Sequence, residues 1–130
     1  MTKFRLKKDF IKFCVVGTIG FFVEAAIIQI VKWIWIDFLL YVRFVSFPTA
    51  LFVTWILNRV FVFESNNSKV KEVVKYVIVQ VLGALLNISV YSILIIYSLF
   101  FFNYPVLALA IGSIVALFWN YIFSKIWVFI

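Results

Sequence analysis

The chain has 130 residues, of which 67% are hydrophobic, 22% aromatic and only 13% charged, with a net charge of +7. So few polar residues cannot clothe a water-soluble particle of this length, which makes the chain an integral membrane protein. The absence of histidine and the single cysteine, Cys14, exclude a zinc constellation and an internal disulfide.

In chain order, residues 1–9 form a basic lead-in whose Phe4 and Leu6 are suited to dip into the membrane interface. The first apolar run is too long for the core of a signal peptide and lacks a small-residue cleavage pattern, so the N-terminus is expected to be retained. Four apolar stretches follow, at about 10–32, 39–61, 73–97 and 104–126, and each reaches the roughly 20 residues that a helix needs to cross a bilayer. The expected fold is an all-α integral membrane protein with four transmembrane helices. Too little chain remains for a soluble domain. With no base, nucleophile or metal cluster in view, catalysis and a bound cofactor are not expected, and a nucleotide-sugar-binding or ATP-hydrolysing domain would come from another chain.

Basic residues set the expected orientation. Lys3, Arg5, Lys7, Lys8 and Lys12 precede the first stretch, Arg59, Lys69, Lys71 and Lys75 lie between the second and third, and Lys125 ends the fourth. Only Lys32 and Arg43 flank the opposite side. The positive-inside rule places both termini and the 64–72 loop in the cytoplasm. The charge then reads as attraction to anionic lipid headgroups, not to nucleic acid.

The chain is also duplicated. Asn58-Arg59-Val60-Phe61-Val62-Phe63 closes the second stretch as Ser124-Lys125-Ile126-Trp127-Val128-Phe129 closes the fourth, and the segment from Lys12 to Gly20 overlays that from Lys75 to Gly83. The repeats span about 10–63 and 73–129. Each starts and ends on the same side, so they are expected to be parallel, related by an axis near the membrane normal. Between them, Asn67 or Ser68 is the expected cap of the third helix. Asn66-Asn67-Ser68 matches a glycosylation acceptor, but a cytoplasmic loop makes that match meaningless. The overlay has Pro105 opening the fourth helix and the second starting near Leu39. Pro48 then falls inside the second helix, where it frees the carbonyl near Phe44 and predicts a kink.

Polar residues within the stretches have two readings each. Glu24 is the only acid inside a span, and the repeat places Asn87 opposite it. The pair marks either a polar seam or structural contacts between helices, with Arg43 in reach of Glu24 in the second case. Arg59 and Lys125, beside Asn58 and Ser124 and one turn from Thr54 and Asn120, either snorkel to the headgroups or hold a phosphate, with arginine offering a two-pronged grip. Gly17, Gly20 and Gly83 are expected to permit close helix contact, with Gln80 bonding across it. Trp33 and Trp35 fit the outer interface and Trp127 the inner one, whereas Trp55 and Trp119 either pack inside or line a groove.

Phe-Cys-Val-Val-Gly at 13–17, the mid-helix Glu24 and Asn87, and the Asn-Arg-x-aromatic-x-Phe ending together resemble the GtrA-like family of small four-helix membrane proteins, over nearly the whole chain. The second ending departs from that pattern, with Ser124 and Lys125 in place of Asn and Arg. The resemblance implies translocation of a polyprenyl-phosphate-linked monosaccharide across the bacterial cytoplasmic membrane, for O-antigen, teichoic acid or arabinan glycosylation. It implies membrane glycosyltransferases as partners, Asn58, Arg59 and Lys125 near the lipid phosphate, and Glu24 and Asn87 near the path of the sugar. Four helices leave little room for an enclosed channel, so a homo-oligomer is expected. Two alternatives stand beside this reading. One is a small proton-coupled multidrug exporter, which the one-sided charge disfavours. The other is a non-transporting scaffold for a glycosyltransferase.

Overall fold

The structure, a computed structural model, describes residues 3–38 and 41–130; the side chains of Lys3, Phe4, Arg43 and Pro105 lie outside that description. Helix α1 runs over Lys3–Ile34, α2 over Arg43–Leu57, α3 over Lys69–Tyr97, α4 over Leu99–Asn103 and α5 over Pro105–Phe123. A π-helical turn extends α2 over Asn58–Val62 (π1), and another extends α5 over Ser124–Val128 (π2). No strand occurs among the described residues. Four of the helices, Arg5–Ile34, Phe44–Val62, Lys69–Tyr97 and Val106–Val128, are long and apolar enough to cross a bilayer. The chain is a multi-pass membrane protein.

The basic lead-in is not a separate segment. From Lys3 on it is the first turns of α1, because Lys, Arg and Leu favour helix and no glycine or proline interrupts it before Gly17. The second helix begins at Arg43, later than the overlay suggested; residues 39 and 40 lie outside the described part. Pro48 is inside α2 as expected, and the neighbouring Thr49 Oγ1 donates to Val45 O at 2.7 Å. Pro105 opens α5, where a missing N–H costs nothing. Ser68 occupies the cap position of α3, but its side chain makes no capping bond.

The chain divides into two compact units, Met1–Asn66 and Asn67–Ile130. Each is an antiparallel helical hairpin: α1 packs on α2 and π1 in the first, and α3 on α5 and π2 in the second. Overlaying the sequences overlays the buried positions. Phe13, Val16 and Gly20 of α1 match Tyr76, Val79 and Gly83 of α3, and all six are buried. On the returning helix Val42, Ser46, Ala50, Trp55, Asn58 and Val62 match Ala108, Gly112, Ala116, Tyr121, Ser124 and Val128, again all buried. Most of every span is open at the surface of the chain and apolar, as a surface facing lipid tails must be.

Two glycines set the approach of the helices. A Cβ on Gly20 would run into Thr54 Cγ2, and one on Gly83 into the Asn120 amide. Gly112 plays the reverse part, since its Cβ would lie 2.8 Å from both Asn87 O and Asn87 Oδ1. Gly17 does not share this role. Nothing lies within 4 Å of its would-be Cβ, because the face buried against α2 runs through Phe13, Val16 and Gly20 and leaves Gly17 exposed.

Candidate functional site: a duplicated basic turn

The element common to both units is the turn that carries Arg59 or Lys125. In π1 the Phe63 N–H donates to Asn58 O at 2.9 Å, and in π2 the Phe129 N–H donates to Ser124 O at 3.0 Å. Each bond spans one residue more than in an α-helix. The bulge turns both the first and the last residue of the segment inward, Asn58 with Val62 and Ser124 with Val128, a distortion that concentrates at functional sites.

A lysine from the first helix of the unit fixes each turn. Lys12 Nζ donates to Phe61 O at 2.8 Å, and Lys75 Nζ donates to Trp127 O at 3.0 Å. These carbonyls fall in the last helical turn, where chain geometry provides no intrahelical donor. One residue further along α1 and α3, Phe13 meets Phe63 with ring centroids 6.2 Å apart, and Tyr76 meets Phe129 at 6.0 Å. The first unit closes with Ser65 N–H donating to Arg59 O at 2.9 Å and Glu64 in the left-handed region at φ 48, a turn usually given to glycine.

The cations lie over aromatic rings one helical turn earlier. The Arg59 guanidinium is 6.0 Å from the centroid of Trp55, and Lys125 Nζ is 5.6 Å from that of Tyr121 and 3.4 Å from its hydroxyl. Trp55 is therefore packed inside, whereas Trp119 lies tilted against Phe123, with ring centroids 4.0 Å apart, and donates its indole N–H to Val79 O at 3.2 Å. Asn58 and Ser124 are fully buried beside the cations. Asn120 lies one turn before Ser124, against Gly83. Ser124 Oγ and Asn120 Oδ1 are buried without a hydrogen-bond partner among the described residues. An arginine or lysine next to amide and hydroxyl groups at a helix end suits a phosphate monoester or diester.

The mid-span residues form a second, separate level. Ser46 Oγ donates to Glu24 Oε1 at a long 3.5 Å, and Asn87 Nδ2 donates to Ser113 Oγ at 3.2 Å. At this level a polar contact joins the two helices of each unit. Gln80 is half-buried, and the Gly17 position it overlays is exposed, so neither sits on the face buried against the partner helix as Gly20 and Gly83 do. The proposed link from Arg43 to Glu24 falls on a side chain outside the described part. Beside Asn87, a cleft of about 310 Å³ is lined by Ile88, Tyr91, Val106 and Leu109.

Several working residues escape a first reading of the sequence. Lys12 and Lys75 look like topology signals, although their matching spacing from the basic endings could have marked them as caps. Glu72 is fully buried at the start of α3. The overlay of Lys12 on Lys75 also carries Asp9 onto Glu72, which was the available signal.

Comparison with known protein families matches residues 12–129 to the GtrA/DPMS transmembrane domain, a stretch that takes in both hairpins and both basic turns. The chain belongs to the GtrA/DPMS transmembrane-domain family. That places the chain among the membrane proteins of glycosylation and polyprenyl-sugar pathways; the GtrA-like proteins are generally non-catalytic. No curated protein and no solved structure matches it.

Proposed function

We propose that this protein translocates a polyprenyl-phosphate-linked monosaccharide across the bacterial cytoplasmic membrane for surface glycosylation. The observation that carries the reading is the repeated basic turn: the same bulge, lysine cap and aromatic-backed cation occur in both units. Elements kept twice with side chains differing only in detail fit a headgroup that is held at a fixed depth by charge-assisted hydrogen bonds. The excess of lysine and arginine puts that depth on the cytoplasmic side, with both termini there. Above it, the contacts of Glu24 with Ser46 and of Asn87 with Ser113 offer hydrogen-bonding groups to sugar hydroxyls that leave water, while the prenyl tail stays in lipid. A homo-oligomer and a membrane glycosyltransferase complete the assembly, one enclosing the path and the other supplying or consuming the lipid-linked sugar.

The experiment is reconstitution into vesicles with a fluorescent undecaprenyl-phosphate sugar in one leaflet. The proposal expects protein-dependent loss of label to a membrane-impermeant quencher, saturable by unlabelled lipid-linked sugar. Movement no faster than in protein-free vesicles, with the protein folded and oriented, would leave the scaffold reading in its place.

A further inference from the structure

Asp9 and Glu72 occupy equivalent positions in the two units, each three residues before the lysine that caps the basic turn. In α3 that spacing puts Glu72 on one face with Lys75, Tyr76 and Val79. The face packs on π2, as the bond from Lys75 to Trp127 O and the ring contact of Tyr76 with Phe129 establish. Glu72 is only 1% exposed. A carboxylate so deeply buried persists only with a cation or directed donors beside it. Among α5 and π2, the elements packed on this face, Lys125 is the only charged residue. The ammonium of Lys75 is directed to Trp127 O, and Lys69 and Lys71 are exposed. The overlay of the two units matches the half-buried Asp9 with Glu72 and Arg59 of π1 with Lys125.

We propose that Glu72 and Asp9 are the resident counter-ions of Lys125 and Arg59, and that an anionic headgroup binds by replacing them. The exchange half of this rests on the reading of the ligand as a lipid phosphate; the counter-ion half does not. A cation in a dry helix end is then never left uncompensated, and the carboxylate resets the site when the phosphate leaves. The two units differ in a useful way. Asp9 is half-buried and faces an arginine that can grip phosphate with two bonds, whereas Glu72 is sealed in and faces a lysine. The first unit is the readily exchanged site and the second the tightly held one.

Two variants test this. In ligand-free protein, acylation of individual lysines by a membrane-permeant amine reagent is followed by peptide mass spectrometry. Glu72→Gln should speed labelling of Lys125 by about two- to fivefold, because the amine is no longer held by its partner, and leave Lys69 and Lys71 unchanged. An unchanged rate at Lys125 overturns the counter-ion assignment. Asp9→Asn, at the more open site, then reads the exchange through binding of undecaprenyl phosphate in nanodiscs, with undecaprenol as the uncharged control. Removing the competing anion should tighten phosphate binding by about two- to fivefold, and the gain should vanish when Arg59→Ala is added. Equal or weaker binding by Asp9→Asn overturns the exchange. If Lys125 labelling accelerates in Glu72→Gln but wild type binds undecaprenyl phosphate no better than undecaprenol, the counter-ions stand and the phosphate ligand falls.

Discussion

Replacing Lys75 by Met separates the role of a lysine as a cap from its role as a topology signal. The substitution keeps the apolar stem and removes the ammonium that donates to Trp127 O at 3.0 Å and lies 5.6 Å from the Trp127 ring centroid. A hydrogen bond to a charged group contributes about 1.5–3 kcal/mol, and an exposed cation–π contact about 0.5–1 kcal/mol. The lysine is half-exposed, so the lower ends apply, and the expected loss is about 2 kcal/mol, or roughly thirtyfold in the unfolding equilibrium. Lys12→Met, which removes the bond to Phe61 O at 2.8 Å, should cost nearer to about 1.5 kcal/mol. The assay is equilibrium unfolding in bicelles. Adding Val74→Lys to Lys75→Met restores the number of cations at an exposed neighbouring position without restoring the cap. If that double variant recovers wild-type stability, or if Lys75→Met is neutral, the lysine acts only through its charge and the capped turn is refuted.

Gly83→Ala should destabilise the second unit by about 1–3 kcal/mol through overpacking against the Asn120 amide, whereas Gly17→Ala should be neutral; adding Asn120→Ala to Gly83→Ala should recover part of the loss in the same unfolding assay. Glu64→Val should cost about 1–2 kcal/mol, because a β-branched residue resists the left-handed conformation at φ 48, and Glu64→Gly should be neutral or stabilising. In vesicle translocation Glu24→Gln should keep partial activity, since the amide still accepts the bond from Ser46, while Glu24→Leu should lose most of it; undiminished transport by a stable Glu24→Leu protein removes Glu24 from the mechanism.

The four spanning helices were legible because each is a long apolar run, and such runs leave few alternatives in lipid. Pro105 was legible as a helix start because proline loses nothing there. The bulged turns at Asn58 and Ser124 were not, since an i→i+5 bond and an i→i+4 bond draw on the same apolar residues and differ only in backbone register. Lys12 and Lys75 were hidden for another reason: a lysine at a membrane boundary satisfies the positive-inside pattern whether or not its ammonium finds a carbonyl. Gly17 misled because small residues in membrane helices invite close packing, yet only the residues in phase with Phe13 and Val16 face the partner helix. Burial of Glu72 at the start of α3 was obscured by Lys69, Lys71 and Lys75 around it, among which the acid looks like one more solvated charge, and only its overlay on Asp9 marked it. Glu24 and Asn87 were visible as polar residues in apolar runs, but their partners Ser46 and Ser113 sit in otherwise unremarked stretches of the returning helices.

The central claim is that the two basic turns hold the phosphate of a prenyl lipid, and binding of undecaprenyl phosphate to Arg59→Ala, Lys125→Ala and the double variant in nanodiscs tests it most directly. The guanidinium makes two directed bonds where the ammonium acts more as a point charge, so Arg59→Ala should weaken binding more than Lys125→Ala. The double variant should bind undecaprenyl phosphate no better than it binds undecaprenol, while still inserting at wild-type levels. Undiminished phosphate binding by the inserted double variant would contradict the account and leave both cations as topology signals alone.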